Sequence, residues 1–459
     1  MRKFLPNRVF IKRFFQVAVP AMVQQLITFV VSLVDTMMVS GLSNNAVSAV
    51  YAVNQISFLY FVIAGGLVAG AGIYIQQFYG SKDYPRLEEA HRYKLIIGII
   101  GLAIIIPLCF IFGRYLIGFY ARNDDARDLV MLDALKYAPI IYLSYVPYAF
   151  TVAYATSFRE IGKTHYPMIA SAVALVVNIV GNYIFMYVLS LGVYGAAIAT
   201  LAARALELVA TLLLAQKEKI FSFKTVWTSF HISKPILTRV SKKTAPLLLN
   251  EVLWAVGMII LSLAYAQRSN VLSALSVIST MSNLFSIVFL GLSVGISVMV
   301  GNTLGQGDVE EAKNNAYKLI FLGVVIGLII GALFIIFSGV IPLLFDEVTP
   351  EQKALASQLL IVYGCFIPIF AIAVCCFVIL RTGGKTRLIL LLDSFSMWII
   401  TVPMTWLIVL FTPLPLVWIY VLVQSVDLLK SAVGLILLKK SNWAVNLTTD
   451  FKNDVEMVA

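Results

Sequence analysis

The sequence contains twelve separate stretches of predominantly apolar residues, each long enough to cross a lipid bilayer as an α-helix. A helix that spans the hydrocarbon core needs about 20 such residues. The bilayer offers the backbone no hydrogen-bond partners, so each stretch must pair its own N–H and C=O groups. We therefore predict an all-α integral membrane protein whose twelve transmembrane helices lie within residues 14–40, 46–78, 93–116, 130–157, 167–189, 193–215, 245–268, 271–303, 316–342, 354–381, 387–411 and 415–438.

The composition excludes the classes of protein that fold in water. Hydrophobic residues make up 60% of the 459 residues, and charged residues only 12%. A soluble protein has about 25% charged residues and needs polar groups to cover its surface. A soluble enzyme, a nucleic-acid-binding protein and a disordered scaffold are therefore excluded. We also expect no intramembrane enzyme, because the apolar stretches show no nucleophile–base or metal-ligand spacing.

The lysines and arginines are distributed unequally between the two sides of the predicted membrane. With the N-terminus in the cytoplasm, 26 of the 34 basic residues fall in cytoplasmic segments and six on the opposite side. When residues at the ends of the stretches are counted with the nearest loop, only Arg204 and Lys430 lie inside apolar stretches. An excess of Lys and Arg marks the cytoplasmic side. We therefore expect a multi-pass protein of the bacterial inner (plasma) membrane with both termini in the cytoplasm, and no nucleic-acid partner for the net charge of +11.

The two halves of the sequence repeat each other. Pro20 recurs as Pro246 at an offset of 226 residues, and the motif that begins at Arg159 recurs at Arg381 at an offset of 222. Six helices per half is an even number, so both halves enter the membrane from the same side, as in parallel repeats related by a pseudo-twofold axis along the membrane normal. The predicted organisation is an N-terminal six-helix lobe (1–215), a basic cytoplasmic linker (216–244), a C-terminal six-helix lobe (245–440) and a cytoplasmic tail (441–459).

Asp35 is the clearest candidate for a functional residue. It lies late in the first apolar stretch, and the corresponding position of the second half, near Ile260, is apolar. A charge in the middle of the bilayer costs about 2.5–3.5 kcal/mol on insertion scales, so it normally has a partner or faces a cavity. Such a carboxylate can exchange a proton or Na⁺ for another cation, as an antiporter requires. The alternative is a hydrogen-bonded carboxylate near the outer interface.

Uncharged polar residues in the fifth and sixth stretches could complete a cation site. Asn178 and Asn182 are spaced i,i+4 and share one face of a helix, and Thr200 lies in the sixth stretch. Amide and hydroxyl oxygens are hard, neutral ligands, suited to a cation whose charge is balanced by one carboxylate. The alternative for these residues is interhelical hydrogen bonding.

Two carboxylates of the second half are weaker candidates. Glu251 follows Pro246, which favours a bend with free carbonyl groups, and it is suited to a cationic substrate or a coupling ion; the alternative is a solvated side chain. Asp393 is only six residues beyond Arg387, near the cytoplasmic surface. For Asp393 we expect a solvated or Arg-paired group.

Opposite charges also occur at i,i+3 in the sixth helix of each half. The pairs are Arg204 with Glu207 and Asp427 with Lys430. Residues at this spacing are neighbours on a helix surface. Because both halves contain such a pair, we expect neutralising ion pairs within each helix, with a structural role.

Several motifs, in this order and spacing, resemble the multidrug and toxic compound extrusion (MATE) family over nearly the whole chain, and the NorM-like or a related bacterial branch in particular. These motifs are V-D-T-M at 34–37, N-x-x-x-N-Y at 178–183, G-A-A-I-A-T at 195–200, N-E-V at 250–252 and G-N-T-L-G-Q-G-D at 301–308.

The resemblance implies a V-shaped, two-lobed antiporter that expels cationic amphipathic compounds, such as drugs and toxins, in exchange for H⁺ or Na⁺. It implies that Asp35 is the cation or proton site, with a Na⁺ ion held at Asp35, Asn178 and Thr200, and with Asn182 where some members have aspartate. It also implies that Glu251 is the acid of the seventh helix. The NorM-like branch has a further aspartate in the tenth helix, where this chain has Phe370.

We expect no cofactor apart from the coupling ion, and a monomer in the bilayer that binds small organic cations. The main alternative is a lipid-linked saccharide flippase of related two-lobed architecture. A flippase would be expected to place more basic residues around its cavity to hold pyrophosphate. An ion channel is a further alternative, and the duplicated lobes favour a transporter over it.

Overall fold

The computed structural model describes residues 6–121, 126–218, 221, 226, 231–268, 271–345, 349–449 and 451. Within these residues the chain is all-α, and twelve helices are long and apolar enough to cross a membrane, which confirms the predicted fold class. The helices are α1 (Arg8–Ser40), α2 (Asn44–Gly80), α3 (Tyr84–Tyr120), α4 (Arg127–Glu160), α5 (His165–Asn182, continued by a π-helix at Tyr183–Val188), α6 (Gly192–Lys217), α7 (Lys234–Tyr265), α8 (Leu272–Gly305), α9 (Val309–Phe337), α10 (Pro350–Thr382), α11 (Thr386–Phe411, with π-helical turns at Leu391–Phe395 and Met397–Thr401) and α12 (Leu416–Lys440).

The repeated R-x-x-G-K-T motif forms the same turn twice, between α4 and α5 and between α10 and α11. Gly162 and Gly384 have positive φ angles of 83° and 78°, a conformation that glycine adopts without strain. The following residues, Lys163 and Lys385, each donate a backbone N–H to the carbonyl group five residues earlier, at 2.8 and 3.0 Å. The motif is therefore a helix-ending turn, in agreement with its repetition in the sequence.

The chain divides into two compact units, and the divisions fall within α1 and within α7. The first unit contains Val19–Leu248. In this unit, a buried ion pair joins α3 to α4: Lys94 Nζ lies 2.5 Å from Glu160 Oε2, and the Lys94 side chain is fully buried. The carboxylate fits because Gly72 of α2 has no side chain; a Cβ at this position would lie 2.0 Å from Glu160 Oε1.

The second unit contains Met1–Ala18 and Leu249–Ala459. The segment after α12 packs into this unit, and Trp443 is buried with 2% exposure. The Trp443 indole N–H donates to the Leu438 carbonyl oxygen at 3.0 Å. The backbone of Trp443 lies so close to Gly383 that a Cβ on Gly383 would be 2.1 Å from the Trp443 carbonyl oxygen. The start of the predicted tail is therefore a packed part of the unit.

Candidate functional site

A cavity of about 300 Å³ lies inside the Val19–Leu248 unit. Its walls come from α1, α2, α4, α5 and α6, and they combine apolar and aromatic side chains with hydroxyl and amide groups. The charged residues that line it are Asp35, Arg204 and Glu207. A charged group that faces a cavity inside the membrane marks a functional site by default, which makes this cavity the candidate site.

Asp35 contacts the two asparagines of α5. The Asn182 amide Nδ2 donates to Asp35 Oδ1 at 2.5 Å and also lies 3.4 Å from Asn178 Oδ1. Both asparagines are buried, and Asn178 lines the cavity beside Asp35. The Asn182 Oδ1 atom is buried without a hydrogen-bond partner within the described residues. A buried amide oxygen normally has a partner, so this group leaves an acceptor available beside the carboxylate.

Thr200 lies on the wall of the same cavity, on α6. Its hydroxyl group donates to the Ala196 carbonyl oxygen at 3.0 Å. The hydroxyl proton is used in this bond, so the Thr200 oxygen can only accept a hydrogen bond or bind a cation. The structure therefore brings Asp35, Asn178 and Thr200 to one cavity, with Asn182 hydrogen-bonded to Asp35, and their role as a cation site stays a prediction.

The backbone around Asn182 explains how this contact is held. The π-helix Tyr183–Val188 follows Asn182 directly, and π-helical turns occur frequently at functional sites. Within this turn, the Tyr187 hydroxyl group donates to the Met38 carbonyl oxygen at 2.5 Å. That bond ties the end of α1 that contains Asp35 to the end of α5 that contains Asn182.

Arg204 and Glu207 form the predicted ion pair within α6, with Nη1 of Arg204 3.1 Å from Oε2 of Glu207. The pair also faces the cavity, which we did not predict from the sequence. Glu207 Oε1 accepts a hydrogen bond from the Ser171 hydroxyl group at 2.8 Å, and Ser171 Oγ accepts one from Gln24 Nε2 at 3.2 Å. The pair is thus fixed to α5 and α1.

The signal for this orientation was present in the sequence. Thr200, Arg204 and Glu207 are spaced i, i+4 and i+7, so they lie on one face of α6. A face that contains a predicted site residue and two charges inside the membrane indicates a cavity wall. The same i,i+3 spacing of opposite charges recurs in the second half, and this repetition favoured a structural role for the pair instead.

In the sixth helix of the second half, the basic residue has a different partner. Lys430 Nζ pairs with Oδ1 of Asp393 on α11 at 3.2 Å, and among the described residues its ion pair is not with Asp427. The expected Asp427–Lys430 pair within α12 is therefore wrong, and so is the expectation of a solvated or Arg-paired Asp393. Asp393 Oδ2 also accepts a hydrogen bond from Asn250 Nδ2 at 3.2 Å. The reason is geometric: Asp393 lies in a π-helical turn of α11, where the register of side chains differs from that of an α-helix.

Glu251 belongs to the second unit and does not line the cavity around Asp35. It is partly buried in α7, one residue after Asn250. Glu251 has neither an ion pair nor a side-chain hydrogen bond within the described residues. Phe370 packs in the same unit against Phe289, with ring centroids 5.3 Å apart. A role for Glu251 therefore stays a prediction.

Comparison with known proteins decides the family. The model of the MatE family matches two segments of the chain, residues 20–184 and 246–407. The chain belongs to the MATE family. The two matched segments begin at Pro20 and Pro246, the pair of prolines that first aligned the two halves, so the family model also detects the duplication. Members of this family are transporters, and this chain is a MATE transporter.

Relatives and solved structures agree with this assignment. The multidrug and toxin extrusion protein 1 of Xenopus tropicalis is 24% identical over 87% of this chain and 69% of its own length. The probable multidrug resistance protein NorM of Haemophilus ducreyi is 24% identical over 85% of each protein. A MATE crystal structure in the bent conformation superposes with a TM-score of 0.85 at 20% identity, over 94% of this chain and 95% of that one. At this identity the structural likeness shows the fold.

Proposed function

We propose that this MATE transporter is a secondary antiporter that exports cationic amphipathic organic compounds in exchange for H⁺ or Na⁺ by alternating access. The observation that carries the proposal is the Asp35 carboxylate in a cavity of about 300 Å³, next to uncharged oxygen groups. Two relatives are named for multidrug resistance or for extrusion of drugs and toxins, which supports this class of cargo.

The site is suited to binding one cation at a time. The Asn182 amide donates to Asp35 Oδ1 at 2.5 Å, which holds the carboxylate in place on the wall of the cavity. The unpaired Asn182 oxygen and the Thr200 oxygen add neutral ligands. A proton, a Na⁺ ion or a cationic cargo molecule then competes for the same negative charge. Release of the cargo on one side follows entry of the coupling ion.

The direction of transport follows from the gradient of the coupling ion. A membrane potential of 100 mV contributes about 2.3 kcal/mol for each positive charge that moves inward. We propose that the protein acts as a monomer in the bacterial inner membrane with both termini in the cytoplasm, because the basic residues mark that side. We propose the same organisation of the chain, with lobes at 1–215 and 245–440, a linker at 216–244 and a tail at 441–459.

The charges of the cavity weigh against a lipid-linked saccharide flippase. A pyrophosphate group requires several basic side chains, whereas Arg204 is the one basic residue among the described residues that lines this cavity. Its charge is also matched by Glu207 at 3.1 Å. With Asp35 added, acids outnumber bases on the cavity wall, as expected for a cationic cargo.

The test is dye transport by purified protein in liposomes, with Na⁺ and H⁺ gradients imposed separately. We expect one of the two gradients to drive transport of a cationic aromatic dye, and Asp35→Asn to abolish it. The asparagine has nearly the same shape, so the variant should fold and insert. Asp128→Asn is the matched control, because Asp128 lies exposed in the first turn of α4, outside the cavity.

Two results would contradict the proposal. One is gradient-driven transport by Asp35→Asn at the rate of Asp128→Asn. The other is dye flux in the unmodified protein that neither gradient changes, which would indicate a channel or a leak.

A further inference from the structure

Asp427 of α12 is a carboxylate at membrane depth that the site around Asp35 does not use. It lies 11 residues after Leu416, the first residue of the helix. This separation corresponds to about 16 Å along an α-helix, close to the middle of a hydrocarbon core about 30 Å thick. Asp427 has neither an ion pair nor a side-chain hydrogen bond within the described residues. An ionisable residue at this depth is a candidate for function.

The charges around Asp427 do not neutralise it. Lys430 and Asp393 are the charged residues that act on it, and they already pair with each other at 3.2 Å. The second unit contains another unpaired acid, Glu251, but the positive charge that acts on Glu251 is Arg381, which is not among the charges that act on Asp427. Lys430 therefore faces two aspartates, and one negative charge remains unmatched.

The first unit has the same charge balance. Arg204 is matched by Glu207 at 3.1 Å, and Asp35 remains as an acid without a basic partner on the wall of the cavity. The two unmatched aspartates are not equivalent positions of the repeat, because Asp35 lies in the first helix of its half and Asp427 in the sixth. A requirement of the repeated fold therefore does not explain them. Each unit instead contains one negative charge that a cation can neutralise.

Polar side chains from three helices lie close to Asp427. Tyr420, Gln424 and Asp427 are spaced i, i+4 and i+7, so they share one face of α12. Asp427 also acts electrostatically on Tyr363 of α10. Tyr265, the last residue of α7, lies beside Tyr420 with ring centroids 6.4 Å apart. Its side chain is 6% exposed, and its hydroxyl group has no hydrogen-bond partner within the described residues. A buried hydroxyl group normally has a partner, so this one is available to a ligand.

We propose that Asp427 binds a second coupling ion, with the Gln424 amide oxygen and the neighbouring tyrosine hydroxyl groups as neutral ligands, so that two positive charges enter for each monovalent cation exported. Oxygen ligands of this kind suit Na⁺, and they also accept a hydrogen bond from a protonated carboxyl group. The inference rests on the proposed function, because Asp35 is the site of the first coupling ion.

A second coupling ion changes how transport depends on the membrane potential. Exchange of one coupling ion for one monovalent cargo cation moves no net charge across the membrane. Exchange of two coupling ions moves one positive charge inward in each cycle. An inside-negative potential of about 100 mV then raises the steady-state ratio of cargo outside to cargo inside by about 50-fold.

The experiment measures this ratio for a monovalent cationic dye in proteoliposomes. The pH and the Na⁺ concentration are equal on both sides, and K⁺ with valinomycin sets an inside-negative potential. We expect the unmodified protein to expel the dye by about 50-fold at about 100 mV, whereas passive leak would draw the cation inward. Asp427→Asn should lose this response but keep exchange that is driven by a gradient of the coupling ion. Asp128→Asn, an exposed position of α4, should keep the full response.

A second variant tests the same site without removing a charge. For Gln424→Leu we expect the half-maximal response to the potential to need about fivefold more coupling ion, the factor that corresponds to one ordinary hydrogen bond. Ser425→Ala is the matched control on the same helix. Ser425 is exposed, and its hydroxyl group donates to the Leu422 carbonyl oxygen at 2.6 Å. Its removal should leave the dependence on the coupling ion unchanged.

The outcomes separate this inference from the proposed function. If an ion gradient drives the unmodified protein but the potential alone does not, a single ion is exchanged and the inference is wrong, while the proposed function stands. A full response to the potential in Asp427→Asn would also overturn it. If Asp427→Asn does not insert into the membrane, Gln424→Leu decides, and equal ion dependence in Gln424→Leu and Ser425→Ala contradicts the inference. If neither gradient drives the unmodified protein, the proposed function is wrong and this inference falls with it.

Discussion

Gly72 of α2 is a position at which a single added methyl group should act on a buried ion pair and so lower the stability. A Cβ at residue 72 would lie 2.0 Å from Oε1 and 2.8 Å from Cδ of Glu160. An ordinary van der Waals contact needs about 3.5 Å, so the Oε1 atom must move away by roughly 1.5 Å. The 2.5 Å ion pair with Lys94 is then broken.

The size of the effect follows from the burial of Lys94. Its side chain has no exposed surface, and removal of the partner of a buried charge costs about 3–5 kcal/mol. For a unit of this size, 1 kcal/mol changes the unfolding temperature by about 2–4 °C. We therefore expect Gly72→Ala to lower the unfolding temperature by roughly 6–20 °C, measured by the thermal unfolding of purified protein in detergent.

The chain provides a control and a rescue for this prediction. Gly65→Ala, in the same helix, adds a Cβ with no atom within 4 Å and should have little effect. In the second repeat, the positions of Gly72 and Glu160 are taken by Ser297 and Thr382, whose hydroxyl groups lie 3.3 Å apart. Combining Gly72→Ser and Glu160→Thr with Lys94→Met should therefore restore most of the stability. Equal unfolding temperatures for the two glycine variants would refute the argument from the ion pair.

Two other predictions concern the ends of the helices. Burial alone would raise the pKa of Glu218, but hydrogen bonds from Lys163 and Tyr166, each 2.7 Å long, hold that pKa below its ordinary value. The contribution of Glu218 to stability is therefore complete above the pKa that Glu218 has in the unfolded chain. It is lost as the pH falls through the pKa of Glu218 in the folded protein. The unfolding temperatures of the unmodified protein and Glu218→Gln should differ at neutral pH and converge in acid, and a constant difference would contradict this. Gly383→Ala should displace Trp443, whose carbonyl oxygen would lie 2.1 Å from the new Cβ, and should lower the free energy of unfolding by about 1–3 kcal/mol. Protease cleavage after residue 440 should therefore be faster in Gly383→Ala than in Gly65→Ala.

The number and order of the helices could be predicted from the sequence because the bilayer requires long apolar segments. Their ends could not, since a helix extends past the apolar segment wherever its backbone groups find partners. The sequence predicts an apolar stretch that begins at residue 93, whereas the helix α3 begins at Tyr84. At this end of the helix, the Asp83 side chain accepts a hydrogen bond from the Arg86 backbone N–H. Likewise, α7 starts at Lys234, within the segment predicted as a linker.

At the candidate site, contacts that follow from helical spacing were predictable. Asn178 and Asn182 had to share a face, and the contact of Asn182 with Asp35 at 2.5 Å agrees with a common location. The partner of Lys430 was not predictable from spacing. Its i−3 neighbour Asp427 was the obvious partner, but the packing of α11 against α12 and the π-helical turn at Leu391–Phe395 bring Asp393 to it instead.

The position of the Arg204–Glu207 pair within a single helix has a consequence for biosynthesis. A lone arginine at the centre of a nascent segment makes its partition into lipid unfavourable by about 2.5–3.5 kcal/mol. Because Glu207 is one turn away on the same segment, α6 has a matching countercharge before it meets any other helix. Asp427 gives Lys430 the same local countercharge on α12, but Lys430 pairs with Asp393 of α11 in the folded structure, so its final partner becomes available only when the last two helices pack together.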